Sequence, residues 1–560
     1  MSAGPAVRCA VRAGAYYDSI VLMQLQRALA ALPGVLDAGV VMATPANRDL
    51  LAASGLLPGE PGEEAVAAGA DDLLIAIQAE SEAAAGEALA RVDSLLAVRR
   101  AGAAGQEFRP RSLASAFKQL PEARWVLVSV PGRYAAAVAD EALDSGRNVF
   151  LYSDNVSLAD EVALKKKARD RGLLVLGPDC GTAIVGGTGL GFANRTRPGR
   201  IGLIGASGTG LQAVVSHLHA RGAGISQAIG TGGRDLSAEV GGITAAQAFD
   251  LLARDPETEV IVLISKPPAP EVAHRLIGLA HAAGKRTVVY FPGAPLPGPR
   301  LGDVGFTSSL ERAAEDALLC LTAPRPAPLA APIAFAPGQR FLRGLFSGGT
   351  LALEVLRGLA PLLAPRGHAI LDLGADEFTV GRLHPMIDFD LRLRRLRKEA
   401  ADPEVALILL DVVLGDGAHA DPAGELGPVI ERVKAEAQAA GRILDVAVLV
   451  VGTDQDPQDA NLQTATLKKA GAWVCRTVTD LLDYAVQRLG EIRGGPLKPE
   501  GPPVPLPAVH GPLAAVNVGL ESFYDSLVAQ GARAVHVEWK PPAGGNEKMA
   551  GILARMKRSR

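Results

Sequence analysis

The sequence contains few of the residues that build disulfide frameworks or aromatic cores. Only four of the 560 residues are cysteine, Cys9, Cys180, Cys320 and Cys475, and none forms a paired spacing. This excludes a disulfide framework and a cysteine zinc site, and we expect no bound metal. Aromatic residues make up 4% of the chain and hydrophobic residues 48%, a balance that favours parallel sheets covered by helices of small residues.

Charge of one sign and long apolar runs are also missing. The formal net charge is −3, from 57 basic and 60 acidic residues, and there is no electrostatic case for nucleic acid. No apolar run reaches the roughly 18 residues of a membrane helix, and the first residues lack the apolar region of a signal peptide. We therefore expect a cytoplasmic protein with no membrane partner.

The length predicts several domains, because one core does not extend over so many residues. Short β-type runs alternate with helical patterns along most of the chain, which is typical of parallel α/β sheets. Pro- and Gly-rich stretches divide it. The predicted domains cover residues 1–100, 120–195, 196–322 and 339–493, with linkers at 101–119 and 323–338 and a Pro-rich linker plus terminal segment at 494–560.

Two Gly-rich turns lie between a β-type run and a helical run, at 201–218 and 341–359. Free backbone N–H groups at a helix start attract an anion, and small residues allow it to approach closely. The turns lack the lysine of a nucleotide P-loop, and each is also compatible with an ordinary tight turn. The predicted phosphate-binding residues are Ser207, Gly208 and Thr209 in the first turn and Ser347, Gly348, Gly349 and Thr350 in the second.

Other polar residues follow predicted strands, where doubly wound sheets bind ligands. Arg234 could bind phosphate or carboxylate through two hydrogen bonds, although a structural ion pair explains it equally well. In the third α/β region, Arg382 could hold a carboxylate and His384 could move a proton. The predicted substrate-binding residues are Arg234, Asp235, Asp376, Thr379, Arg382 and Asp411, and the helix-capping alternative stays open for Asp411.

These motifs carry a resemblance to known proteins. Residues 120–320 resemble the α subunit of succinyl-CoA synthetase, and 340–490 resemble the carboxy-terminal domain of its β subunit. The whole chain is similar to the FdrA family, a fused relative of that enzyme. The strings that carry this similarity include TPANRDLL (44–51), GPDCGTAI (177–184), GASGTG (205–210), GGRDLSAEVGG (232–242), VGRLHPMID (380–388) and NVGLESF (517–523).

The resemblance implies an α/β fold. It implies a Rossmann-like CoA-binding-type domain at 120–195 and two flavodoxin-like succinyl-CoA-synthetase-type domains at 196–322 and 339–493. A small N-terminal α/β domain precedes them, and a short C-terminal segment is expected to dock onto another domain or onto partner subunits.

Two departures from the synthetase pattern bear on the chemistry. The synthetase phosphorylates a histidine, and Asp303 stands at the matching position here. Its supporting glutamate is replaced by Lys266. A phosphohistidine relay is therefore not expected, whereas an oxyanion pocket gains positive charge. Lys266, His384 and Asp303 are the predicted catalytic residues.

Three functions remain open at this point. The FdrA resemblance implies a carbamoyltransferase that acts on carbamoyl phosphate and an amide acceptor, oxamate, in purine and allantoin breakdown. The alternatives are an NDP-forming acyl-CoA synthetase, in which Asp303 would replace the histidine, and a non-catalytic scaffold in a multi-subunit complex. The carbamoyltransferase requires no cofactor, and CoA is a possible one.

Overall fold

The computed structural model describes residues 5–13, 19–57, 68, 69, 72–101, 109–294, 298–325, 327–363, 367–492 and 499–541. The chain forms two compact units, residues 1–147 with 513–560, and residues 148–512. Among the described residues, no helix is both long enough and apolar enough to cross a membrane.

The N-terminal domain is a three-stranded antiparallel sheet with apolar clusters on both faces. Its strand order is β1-β3-β2, so the expected small α/β domain is present without a parallel sheet. Its elements are β1 (Ala6–Arg12), α1 (Ser19–Ala30), β2 (Val35–Met42), α2 (Pro45–Ala53), β3 (Leu73–Ala79), α3 (Glu82–Ala90) and α4 (Val92–Ala101).

The same unit contains a parallel sheet that joins distant parts of the chain. Its elements are α5 (Leu113–Gln119), β4 (Trp125–Val128), α6 (Gly132–Asp144), β20 (Ala514–Val518), α18 (Glu521–Ala529) and β21 (Arg533–Val537). Strand β20 pairs with both β4 and β21, so the C-terminal segment docks onto its own chain. Helix α5 lies within the predicted 101–119 linker, and residues 102–108 of that linker are outside the described residues.

The second unit begins with a short parallel pair and continues into an eight-stranded sheet. The order of this sheet is β13-β14-β12-β11-β9-β10-β7-β8. The elements are β5 (Asn148–Leu151), α7 (Leu158–Asp170), β6 (Val175–Leu176), β7 (Thr182–Val185), β8 (Thr188–Gly191), β9 (Pro198–Gly205), α8 (Gly208–Ala220), β10 (Ile225–Gly230), α9 (Ile243–Arg254), β11 (Val260–Ile264), α10 (Pro270–Ala282), β12 (Arg286–Tyr290), β13 (Arg300–Leu301), β14 (Val304–Phe306) and α11 (Leu310–Thr322).

The hairpin β7–β8 places the boundary between the first two α/β regions earlier than the predicted position after residue 195. Ile184 of β7 pairs with Ala228 of β10, so residues 182–191 belong to the eight-stranded sheet.

A five-stranded parallel sheet of order β16-β15-β17-β18-β19 follows. Its central strand, VALILLDVV, is an unbroken apolar run apart from one Asp, as expected for a strand covered on both faces. The elements are β15 (Phe341–Phe346), α12 (Gly349–Leu359), β16 (Ala369–Asp372), α13 (Asp376–Thr379), α14 (Asp390–Ala401), β17 (Val405–Val413), α15 (Pro422–Ala439), β18 (Asp445–Val451), α16 (Ala460–Lys469), β19 (Trp473–Cys475) and α17 (Val478–Ile492).

Candidate active site

The first Gly-rich turn joins β9 to α8 and leaves donors open at the helix start. Ser207 is the N-cap residue, and its Oγ accepts a hydrogen bond from the Gly210 N–H at 3.2 Å. The N–H groups of Gly208 and Thr209 have no intrahelical partner and no acceptor among the described residues. A side chain at Gly205 would lie 2.5 Å from Leu211, so glycine is needed for the helix to pack this closely on the strand.

Lys266 lies at the same carboxyl edge of the sheet. A Cβ at Gly233 would lie 2.8 Å from Lys266 Nζ and 3.5 Å from Asp179 Oδ2, so the three residues are neighbours. No residue that the structure describes forms an ion pair with Lys266, which is exposed. The loop that carries Asp179 also reaches the helix start, since a Cβ at Gly208 would lie 3.4 Å from Thr182 Oγ1. Lys266 and the open N–H groups at the start of α8 therefore lie beside the same loop, the one that carries Asp179.

The side chain of Asp235 is enclosed by hydrogen-bond partners of the chain and does not face an open site. Its side chain is fully buried, and Oδ1 accepts from Lys165 Nζ at 2.7 Å. Its carboxylate also accepts the N–H groups of Thr244 and Ala245 at the start of α9, with distances of 3.3 and 2.9 Å. The structure thus gives Asp235 the role of a helix cap, which leaves no oxygen facing a ligand.

Arg234 and a buried pair on α7 complete this cluster. Arg234 donates to Glu161 Oε2 at 2.8 Å and to the Val156 carbonyl at 2.8 Å, and its side chain is 47% exposed. Glu161 also pairs with Lys165 at 3.0 Å, and both side chains are fully buried. Sequence reasoning missed Glu161 and Lys165, although their i,i+4 spacing on one predicted helix was a usable signal.

Cys180 lies beside this site but is not activated. Burial raises the pKa of its thiol to about 12, and the thiol donates to the Thr182 carbonyl at 3.6 Å. The thiolate that nucleophilic chemistry needs is therefore not present near neutral pH.

Asp303 is not part of the carboxyl-edge site. Its carbonyl accepts from the Thr287 N–H, and Val304 is paired with Thr287 near the start of β12. Asp303 therefore lies at the amino edge of the sheet, about 10 Å along the strand from the carboxyl end of β12. The sequence predicted a catalytic role for Asp303, and the structure does not bring it near Lys266.

The second Gly-rich turn already holds a carboxylate of the chain. Asp411, which is fully buried, accepts from the N–H of Ser347 at 2.7 Å and of Gly348 at 2.8 Å, and from Ser347 Oγ at 3.0 Å. Arg392, which is 1% exposed, pairs with Asp411 Oδ1 at 2.9 Å. Ser347 and Gly348 thus bind a carboxylate, while Gly349 and Thr350 stay exposed at the uncapped start of α12.

His384 lies close to this helix start. Its Nδ1 accepts from the Met386 N–H at 3.3 Å, which places the proton of the neutral ring on Nε2. A Cβ at Gly374 would lie 2.8 Å from His384 Nε2 and 3.2 Å from Asp372 Oδ1. A Cβ at Gly349 would lie 2.5 Å from Asp372 Oδ2. Asp372, which sequence reasoning missed, therefore lies between the imidazole and the helix start.

The other predicted residues of this loop lie at its surface. Asp376 and Arg382 are exposed, and Thr379 Oγ1 donates to the Ala375 carbonyl at 3.2 Å. The two Gly-rich turns belong to different sheets, and no hydrogen bond or ion pair of the described residues joins Ser207 to Ser347. Lys266 and the first turn thus belong to the eight-stranded sheet, and His384 and the second turn belong to the five-stranded sheet.

Family models for three domains match the chain. "AllF, heavy metal-associated domain" matches residues 3–110, "CoA binding domain" matches 196–293, and "CoA-ligase" matches 345–485. The CoA-binding match falls on the eight-stranded sheet, not on the 120–195 region that the resemblance had suggested.

One curated relative and one solved structure illustrate what the chain is similar to. The α subunit 1 of succinate–CoA ligase (ADP-forming) from Archaeoglobus fulgidus is 29% identical over 187 residues, which is 32% of this chain and 62% of that subunit. The apo dinucleotide-forming acetyl-coenzyme A synthetase 1 from Ca. Korarchaeum cryptofilum covers 66% of this chain and 83% of its own, with a TM-score of 0.29 and 16% identity.

The fold and the domain matches define a succinyl-CoA-ligase-type fusion protein. "Uncharacterized protein YahF" of Escherichia coli (strain K12) is 39% identical over 506 residues, which is 85% of this chain and 97% of YahF. The chain belongs to the same family as YahF.

The residues of the N-terminal domain do not fit the heavy metal that its family model names. Residues 1–110 contain one cysteine and no histidine. That cysteine, Cys9, has a pKa raised by burial, and its thiol donates to the Leu56 carbonyl at 3.9 Å. A soft metal ion requires several thiolate or imidazole ligands, and the residues of this domain do not supply them.

Coenzyme A is implied by two of the family models, and one feature fits its adenine. Tyr152 and Phe192 meet edge to face with ring centroids 5.5 Å apart, and Phe192 is 57% exposed. A Cβ at Gly181 would lie 3.6 Å from the Phe192 ring, which places this pair beside the loop near Lys266. An exposed aromatic ring of this kind can stack a nucleotide base.

Proposed function

We propose that the chain is an FdrA-type subunit of a transferase that uses an acyl phosphate. Carbamoyl phosphate is the donor and oxamate the acceptor in this proposal, as the resemblance to the FdrA family implies. The observation that carries it is Lys266, whose Nζ lies against Gly233 at the sheet edge where α8 begins. An unpaired cation beside open N–H donors stabilises the charge that develops on a departing phosphate.

In the proposed reaction, the amide nitrogen of oxamate attacks the carbamoyl carbon. The bond from that carbon to the phosphate oxygen breaks, inorganic phosphate leaves with the bonding electrons, and the nitrogen loses one proton. Lys266 and the N–H groups of Gly208 and Thr209 bind the phosphate. The departing phosphate takes up this proton. Arg382 and the Nε2–H of His384 bind the carboxylate of oxamate.

In this proposal, the second Gly-rich turn and Arg234 have smaller roles than the sequence suggested. Since Asp411 takes the donors of Ser347 and Gly348, the second turn contributes only Gly349 and Thr350 as open donors. Arg234 acts indirectly, by fixing the loop that carries Gly233, because its guanidinium is paired with Glu161.

A phosphate-release assay tests the proposed function. The full chain, purified with its natural partner proteins, is expected to release phosphate from carbamoyl phosphate in an oxamate-dependent manner, and mass spectrometry is expected to detect the carbamoylated amide. Oxamate-independent release at the same rate would contradict the proposal, and so would release with no carbamoylated product.

An NDP-forming acyl-CoA synthetase is the second candidate, and the CoA-ligase and CoA-binding matches favour it. In that function CoA supplies a thiol that accepts the acyl group, and the Tyr152–Phe192 pair would hold its adenine. This enzyme type needs a phosphorylated residue, and the sequence offered only Asp303 for that role. The remote position of Asp303 argues against it.

Labelled ATP separates the two candidates. We expect no stable phosphoenzyme when the chain and its partners are incubated with γ-labelled ATP, because the histidine that the synthetase phosphorylates is replaced by Asp303, which lies at the opposite edge of the sheet. An Asp303→Asn variant is the matched control. Label that appears in the parent and disappears in this variant would establish the synthetase and refute the transferase.

Exposed apolar side chains near His384 support the expectation of partner subunits. Val380, Leu383 and Ile387 are 82%, 63% and 47% exposed, and they flank His384 in one loop. In the proposal a partner covers this loop and excludes water from the acceptor site.

A further inference from the structure

The eight-stranded sheet has a cavity of about 400 Å³ at its amino edge, which is the edge opposite to Lys266. Three segments line it. They are the start of β11 at Thr258–Val260, the turn Gly284–Arg286 before β12, and the end of α11 together with Arg325. A cavity of this volume is within the range of small-molecule sites. The five residues of β11 separate it from the carboxyl edge by about 16 Å.

Three cationic side chains line the cavity and donate only to carbonyls among the described residues. Lys285 Nζ donates to the Leu252 carbonyl at 2.8 Å. Arg286 donates through one terminal nitrogen to the carbonyls at the end of α11, and Arg325 donates to the Gly284 carbonyl at 2.8 Å. The remaining N–H groups of Arg286 and Arg325 have no acceptor within the described part of the chain.

Two carboxylates near the cavity are already paired, whereas Asp303, whose carboxylate acts on the thiol of Cys320, forms no ion pair among the described residues. Glu259 is bound by Arg200, with nitrogen–oxygen distances of 2.8 and 2.9 Å. Asp255 is buried beside Lys285 and accepts from Thr258 and His510. This leaves Arg286 and Arg325 as two guanidinium groups of one cavity with no carboxylate partner. The carboxyl ends of α10 and α11 and the carboxylate of Asp303 offset part of this positive charge.

We propose that this cavity binds a small phosphate-bearing polyanion, separate from the substrate site at the carboxyl edge. Two arginines with spare N–H groups match the geometry of phosphate oxygens, and an anion between them removes the repulsion of two like charges. Burial lowers the pKa of Lys285, and a bound anion would raise it again, so binding takes up protons at alkaline pH.

Calorimetry with pyrophosphate on the full chain tests this site. All titrations use a Lys266→Ala background, which removes the cation of the proposed substrate site. We expect binding that persists in this background and weakens at least about tenfold in Arg325→Ala, since a guanidinium–phosphate contact is lost. The control is Arg312→Ala, which removes an exposed arginine of α11 that pairs with Asp316 and does not line the cavity.

Cys320 provides a second readout, because it lines the cavity and is half-buried. Pyrophosphate is expected to slow alkylation of Cys320, measured by peptide mass spectrometry, and to leave Cys9 unaffected. Citrate in place of pyrophosphate distinguishes phosphate from carboxylate ligands, and equal or tighter citrate binding would overturn the assignment of ligand class. Equal affinities of Arg325→Ala and Arg312→Ala would overturn the site, as would the loss of all binding in the Lys266→Ala background. The transferase proposal is unaffected by either result.

Discussion

Replacement of Lys266 by alanine is expected to lower kcat for phosphate release from carbamoyl phosphate by about 10²–10³-fold. Its Nζ lies against Gly233 at the edge where α8 begins, and no carboxylate of the described residues forms an ion pair with it. In the proposed reaction this charge acts mainly on the departing phosphate, whose negative charge increases in the transition state. The effect should therefore appear in kcat more than in KM.

The matched control for this variant is Lys166→Ala, since Lys166 is an exposed lysine of α7 in the same unit. We expect that variant to keep full activity. Thermal unfolding of both variants should match the parent, because each side chain is exposed. A Lys266→Ala enzyme with kcat within about threefold of the parent would refute a role for this cation in phosphate departure.

Replacement of Asp411 by asparagine is expected to lower the free energy of unfolding by about 3–5 kcal/mol, because it leaves Arg392 buried without a counter-charge. Asp411 is wholly buried and Arg392 is 1% exposed. The carboxylate also holds the N–H groups of Ser347 and Gly348, so the loss extends to the start of α12. Urea unfolding followed by circular dichroism measures the change.

An exposed pair on the same helix is the control for that measurement. Arg394 pairs with Asp390 on α14, with side chains 65% and 54% exposed, and Arg394→Ala should cost less than about 0.5 kcal/mol. The sequence had suggested that Asp411 binds substrate. That role would instead predict a stable Asp411→Asn protein with a raised KM, and this outcome would contradict the structural role.

Apolar runs predicted the strands well where both faces of a strand are covered. The apolar runs of the sequence at Val260–Ile264 and Phe341–Phe346 form β11 and β15. The hairpin at 182–191 was missed, because its Gly-rich sequence carries neither an apolar run nor a clear alternation. Its place in the sheet depends on pairing with β10, which no local pattern encodes.

The candidate site was only partly predictable for a similar reason. The Gly-rich turns and Lys266 are local features, and each lies at the carboxyl edge of a strand. The role of Asp411 depends on Arg392, which is 19 residues away on another element. The sequence therefore predicted the turn at Ser347, but it did not predict that the Asp411 carboxylate binds there. Asp303 was misplaced because similarity along the chain does not show which edge of a sheet a short turn occupies.

The pairing of β4 with β20 also determines how late during synthesis this sheet can be completed. Ser129, just after β4, is hydrogen-bonded to Val518 at the end of β20, and 389 residues separate the two. At typical rates of translation, the partner of β4 leaves the ribosome about 20–80 s later. During that interval, Trp125 and the rest of an apolar strand lack the neighbour that pairs with them in the finished protein. Newly made chains therefore depend on holding chaperones longer than a chain whose neighbouring strands emerge together.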